Sequence, residues 1–380
     1  MRRTRDTVAR APVTPPDTEP STALKEIFNL QRLRHIAEQT AAVHPAFDAR
    51  RFVKEASREL DALSLMERLR RVTETLHATL PPDYPEAVEI LRRLAPRLEH
   101  RFVTLVLPDY VALYGERHFD LSLEALRFFT PFGSSEFGVR PFLRQDLPRA
   151  LKVMERWSRD EDEHVRRLAS EGSRPLLPWA SRLEPLRADP SLASPILENL
   201  RADPSPYVRK SVANHLNDVT KVHPGWVLER LEQWPLDQPA TAWIARHALR
   251  GLIKKGDARA LALLGAGARA EVRIQALDVS PQVLQRGEQL TLSFRLESTS
   301  DRPQRLVVDY AVHYVKKSGA TSAKVFKWKT LTLAPRAVET LSRRQRIRDF
   351  STRTHYAGRH EIELVVNGEC LARSFFDLRD

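Results

Sequence analysis

The strongest constraint on the fold of this chain is an internal repeat. The stretch "WSRDEDEHVRRLASEGS" (Trp157 to Ser173) aligns without a gap on "LRADPSPYVRKSVANHL" (Leu200 to Leu216). Asp160 falls on Asp203, Val165 on Val208, Arg166 on Arg209 and Leu168 on Ser211, an offset of about 43 residues. A looser third copy, "ATAWIARHALRGLIKKGD", follows about 37 residues further on. At this period the unit is a helix pair. One pair cannot bury its apolar face alone, so neighbouring pairs stack and present one concave surface.

The flanking sequence fits that reading. From Thr22 to about Leu264 apolar residues recur at three- and four-residue spacing with prolines between segments, as in "LKEIFNLQRLRHIAEQTAAV" and "YPEAVEILRRLAPRL". Around Arg269 the texture changes. "EVRIQALDVSPQVLQRGEQLTLSFRLESTSD" and "GRHEIELVVNGECLARSFFDL" alternate with period two and carry β-branched and aromatic residues between Pro, Gly, Ser and Asn breaks. About 110 residues with six to eight short strands has the size of an immunoglobulin-like sandwich, although the cysteine and tryptophan spacing of antibody domains is absent. The expected fold is multidomain: an all-α HEAT-like repeat solenoid over 23–268, then an all-β immunoglobulin-like sandwich over 269–380, preceded by a disordered basic tail over 1–22.

Composition narrows the partners. The chain has 380 residues, with 61 Lys and Arg against 49 Asp and Glu and a net charge of +12. A basic surplus of that size favours nucleic acid, with general solubility as the plain alternative. Counting from Glu271, 19 Lys and Arg face 13 Asp and Glu, so part of the surplus lies in the β-rich region. There, "VKKSGATSAKVFKWK" and "SRRQRIRDF" suit either a clamp around a duplex or solvated loops. The lone cysteine, Cys370, excludes an internal disulfide framework and a thiolate-clustered zinc site, which fits a reducing cytoplasm; it reads as a buried strand residue. His355 and His360 lie in β-type sequence without helix spacing for a joint ligand pair, so no metal is expected. No stretch approaches the roughly 18 apolar residues of a membrane span, and the opening arginines precede no apolar core, so neither membrane nor secretory signal is expected.

Chemistry concentrates in the repeats. In "HVRRLASEGSRPLLPWASRL" (His164 to Leu183) a helix puts Val165, Leu168, Ala169 and Gly172 on one side and Arg167, Glu171 and Arg174 on another. Stacking in register sets that stripe beside Lys210, Asn214 and Asp218. Each acid also has a plain reading: Glu171 as a helix-face ion pair worth about 0.3 to 0.5 kcal/mol, Asp218 as a cap, and Glu136 in "TPFGSSEFGVRPF" as a carboxylate at a helix start behind capping serines. Trp179, in the proline-bounded link "PLLPWASRL", reads alone as a scaffold tryptophan. Against these stands a conflict: carboxylates at the centre weaken a basic surface built for phosphates, unless the target itself carries positive charge. A cationic base is attracted by both a carboxylate and an aromatic face.

At "SSEFGVRPF", "HVRRLASEGSRPLLPWA" and "YVRKSVANHLND", with "LKEIFN" near the start, the sequence resembles the DNA alkylation-repair glycosylases of the HEAT-like repeat superfamily, in their AlkC branch. The resemblance covers most of residues 23 to 265, and the tail resembles the immunoglobulin-like extension of some members. It implies a monofunctional DNA glycosylase, without metal or cofactor, that removes N-methylated cationic bases such as 3-methyladenine and 3-methylcytosine and works on lesions left near the base stack. Carried over by motif, Glu136, Glu171 and Asp218 are the catalytic carboxylates, with Glu171 foremost, and Trp179 is the lesion-contacting aromatic. Arg166, Arg167, Arg174, Arg209, Lys210, Asn214 and Arg246 are then the DNA-binding set, on double-stranded DNA containing alkylated bases. A monomer is expected. The rival readings are a HEAT-type scaffold without catalysis and a structure-specific DNA binder.

Overall fold

A computed structural model describes residues 24–266, 269–350 and 354–379. The tail expected over 1–22 lies outside the described residues. The chain forms two compact units, 1–142 and 143–380.

The first unit is helical: Leu30–Val43 (α1), Ala49–Ala56 (α2), Leu65–Thr79 (α3), Tyr84–Leu94 (α4), Val106–Tyr114 (α5) and Phe119–Phe129 (α6), with Arg140–Gln145 (α7) at its end. Side chains of Asn29, Asp48 and Asp83 cap the first turns of α1, α2 and α4, as helix starts require. The fully buried Arg68 on α3 donates to the carbonyls of Lys25 and Phe28 and so ties down the segment before α1.

The second unit continues with Leu147–Trp157 (α8), Glu163–Gly172 (α9), Glu184–Ala188 (α10), Ser194–Asn199 (α11), Pro206–Val219 (α12), Pro224–Glu232 (α13), Pro239–Ala248 (α14), Arg250–Lys254 (α15) and Ala258–Leu263 (α16). The repeat is visible in its helix starts. Asp162 caps α9 through His164 N at 2.7 Å, and its counterpart Ser205 caps α12 through Tyr207 N at 3.2 Å. Proline at the first position of α12 costs no hydrogen bond there. α12 packs between α9 and α14. Val165, Leu168 and Ala169 of α9 and Val208, Val212 and Leu216 of α12 are all buried, and the two helices pack together. Each buried valine or leucine stabilises the stack by roughly 1.5–3 kcal/mol.

The same unit ends in strands: Val272–Ser280 (β1), Val283–Gln285 (β2), Gln289–Ser298 (β3), Gln304–Val315 (β4), Thr321–Leu333 (β5), Val338–Arg346 (β6), Gly358–Val366 (β7) and Glu369–Arg379 (β8). They make two sheets, ordered β1-β3-β6 and β2-β8-β7-β4-β5. This is the helical region followed by a β-sandwich that the sequence predicts. Leu290, Leu292, Phe294 and Leu296 alternate inward along β3, as a half-buried strand must. β4 is buried almost throughout, and Val307 and Asp309 on its outer face line one cavity with Ile253 and Leu264 of the helical region. At the same junction Gly256 and Gly368 approach so closely that a Cβ on Gly368 would fall 2.4 Å from the Gly256 Cα. Cys370 corrects an expectation. It is exposed on β8, two residues past the turn formed by Asn367 and Gly368. Among the described residues no helix is long and apolar enough to cross a membrane.

Candidate active site

The stacked α9 and α12 bring Glu171, Arg174 and Asp218 together. α9 ends at Gly172, and Ser173 turns its hydroxyl back to the Ala169 carbonyl at 2.7 Å. Arg174 follows that cap, and its guanidinium enters between the two helices. Nη1 donates to Glu171 Oε1 at 2.6 Å and Nε to Asp218 Oδ2 at 2.9 Å. The remaining carboxylate oxygens are also held: Ser211 Oγ donates to Glu171 Oε2 at 2.6 Å, and Lys221 Nζ to Asp218 Oδ1 at 3.1 Å. Arg167 Nη2 lies 3.6 Å from Glu171 Oε1. Glu171, Arg174 and Asp218 are 6%, 7% and 3% exposed.

Burial opposes a charge on Arg174, but the hydrogen bond it donates to Asp218 and the charges of Glu171 and Asp218 outweigh it and raise the guanidinium above its ordinary value. One guanidinium thus serves two carboxylates. Below them His215 is fully enclosed, its Nδ1–H donating to the Ser170 carbonyl at 3.1 Å. Burial pushes its imidazole down to about 4, so at neutral pH it adds no charge to the pair. Two buried carboxylates fixed in this way can stabilise positive charge that is brought against them.

The other predicted residues are placed differently. Arg166 and Arg209 occupy equivalent repeat positions and hold equivalent loops. Arg166 donates to the carbonyls of Asp160 and Glu161 and pairs with Asp203; Arg209 donates to the carbonyls of Asp203 and Pro204. Arg174 is enclosed between carboxylates instead of facing outward. Arg167 lies over the Tyr207 ring, 4.9 Å from its centroid. Lys210 is exposed, Asn214 accepts from Arg250 Nη2 at 3.1 Å, and Arg246 is half-buried beside the helix–strand junction. Trp179 is 92% exposed with φ of 64°, a left-handed conformation uncommon for a bulky residue, so it is no scaffold tryptophan. Glu136 belongs to the first unit. There it is half-buried and accepts from Ser134 Oγ at 2.5 Å, while Ser135 returns its hydroxyl to the Leu126 carbonyl instead of capping the helix that follows.

Ser211, His215 and Lys221 are absent from the sequence prediction. Two of them carried a signal in the repeat. Ser211 aligns with Leu168 and His215 with Gly172, so hydroxyl and imidazole stand where the sister copy has core-facing residues. A polar residue at a core position needs a buried partner, and here those partners are Glu171 and the Ser170 carbonyl.

Comparison with known proteins places the chain in a family. The DNA alkylation repair enzyme family matches residues 66–252, and a C-terminal Ig-like domain described for the uncharacterised protein YhaZ matches residues 273–380. The uncharacterised protein YhaZ of Bacillus subtilis (strain 168) is 42% identical over 347 residues, which is 91% of this chain and 96% of that protein. The Pseudomonas fluorescens alkylpurine DNA glycosylase AlkC, solved bound to DNA containing an abasic site analogue, is 57% identical; the match covers 94% of this chain and 100% of that one, with a TM-score of 0.91. The chain belongs to the DNA alkylation repair enzyme family, in its AlkC branch with a C-terminal immunoglobulin-like domain.

Proposed function

We propose that this protein is a monofunctional DNA glycosylase that excises cationic N-methylated bases, of the 3-methyladenine and 3-methylcytosine class, from double-stranded DNA. The observation that carries the reading is the buried Glu171–Arg174–Asp218 unit, two carboxylates fixed by one guanidinium in a strongly basic chain. A surface meant for phosphate alone gains nothing from two carboxylates at that place.

The chemistry asked of the site is modest. N-methylation already makes the base a good leaving group, so the C1′–N bond breaks with its electron pair going to the base, which departs neutral. Positive charge then builds on the sugar, and the carboxylates stabilise it. Water adds to C1′, and its proton passes to a carboxylate and on to solvent. We assign Glu171 and Asp218 to this charge and water, with Trp179 as the aromatic against the lesion. The duplex is held through phosphates by Arg167, Lys210 and Arg246, with the base kept near its stack instead of fully flipped. Arg166, Arg174 and Arg209 take positioning roles, since each guanidinium is held by the protein's own groups.

The reading is tested by incubating the protein with methylated DNA and separating the released bases. Free 3-methyladenine supports it. DNA binding without any released base would leave the scaffold or structure-specific binder in its place.

A further inference from the structure

The four carboxylate oxygens of the Glu171–Asp218 pair are not held alike. Three are held from the protein interior: Glu171 Oε1 and Asp218 Oδ2 by Arg174, whose side chain is 9% exposed, and Glu171 Oε2 by the buried Ser211. The fourth, Asp218 Oδ1, is held by Lys221, whose side chain is 55% exposed. Lys221 follows the C-terminus of α12 and reaches back three residues to make the contact. Arg174 cannot leave without stranding two buried charges, which costs several kcal/mol. Lys221 gives up one part-buried contact and returns an already exposed ammonium to water, while the entering cation takes its place on the buried Asp218 oxygen.

We propose that Lys221 is a specificity-determining residue: its ammonium stands in for the positive charge of the lesion on Asp218 Oδ1 in the free protein and is displaced when a cationic nucleotide binds. The inference rests on the glycosylase reading above. Two consequences follow. The site stays nearly neutral against undamaged DNA, which presents no cation to compete with the lysine. A cationic centre, whether a methylated base or the charged sugar that forms from it, takes over an oxygen already oriented by Arg174. A neutral base has no charge to offer in exchange and leaves Lys221 in place.

The test is equilibrium binding to two uncleavable duplexes of identical sequence, one with a protonated pyrrolidine in place of the target sugar and one with neutral tetrahydrofuran. The wild type is expected to prefer the cationic duplex. Lys221→Ala is expected to enlarge that preference about threefold to tenfold by removing the competitor, and Lys221→Arg to keep it near wild type. A preference unchanged in Lys221→Ala, or both duplexes weakened equally as for a plain phosphate contact, overturns the proposal. A wild type that does not prefer the cationic duplex counts against the glycosylase reading itself.

Discussion

The guanidinium of Arg174 joins Glu171 and Asp218 across two repeats, with Nη1 at 2.6 Å from Oε1 and Nε at 2.9 Å from Oδ2. This link converts two acids on different helices into one fixed charge unit. Removing its cation strands two buried carboxylates. Arg174→Ala is therefore expected to lower stability by about 3–5 kcal/mol. Arg174→Lys should recover only part of that, because an ammonium lacks the planar fork that serves both acids. Denaturant unfolding of the three proteins checks the order.

Ser211 acts through Glu171. Without its hydroxyl, Glu171 Oε2 loses its short hydrogen bond in a buried place, so Ser211→Ala should cost about 1.5–3 kcal/mol. Excision should slow as Glu171 loses its fixed orientation, whereas Ser211→Thr, which keeps the hydroxyl, should retain most of the rate. A slowed rate in both variants would assign the loss to packing instead.

His215 links the site to pH. Its folded value, about 4, lies below the unfolded value of about 6.5, so the unfolded chain binds the extra proton first. Its stabilising contribution is full above pH 6.5 and is lost as pH falls from there toward 4, on the order of 3 kcal/mol in all. Burial also lowers His77, His247 and His360, so the relevant quantity is the difference between wild type and His215→Gln. Stability of the variant should depend less steeply on pH between 6.5 and 4.

Trp179 separates folding from recognition. Being 92% exposed at φ 64°, it packs on little, and Trp179→Gly relieves the left-handed backbone. The thermal midpoint should hold or rise slightly, while affinity for lesion-bearing DNA falls by the roughly 1–3 kcal/mol of one aromatic–base contact. A fall in both would return Trp179 to a scaffold role.

Lys210 is exposed on α12, the helix that carries Asp218, and a phosphate contact there has a salt signature. Lys210→Ala should reduce the slope of log affinity against log salt by about 0.9. An unchanged slope takes Lys210 out of the phosphate set.

Much of this arrangement was legible because the repeat carries it. The match of Asp160 to Asp203 and Val165 to Val208 predicts that α9 and α12 stack, and stacking alone puts Glu171 near Asp218. The basic stripe was legible as composition but not as roles. An arginine's reach is long and its direction is set by what lies beneath it, so Arg174 turned inward to two acids, and Arg166 and Arg209 turned to loop carbonyls. Trp179 carried no sign of its exposure, because backbone conformation in a proline-bounded link is set by its anchors. The strands of the sandwich followed from alternation, but the double burial of β4 did not, since its outer face lines a cavity with helices distant in sequence.

The central claim, that Glu171 and Asp218 work as one unit on a cationic lesion, is tested most directly by single-turnover excision of 3-methyladenine from a defined duplex. The proteins compared are the wild type, Glu171→Gln, Asp218→Asn and the double variant, each shown to bind the duplex. Groups that act as a unit give strongly non-additive losses, so the double variant should be no slower than the slower single variant within about threefold. Losses that multiply, or single variants that excise at the wild-type rate, would contradict it.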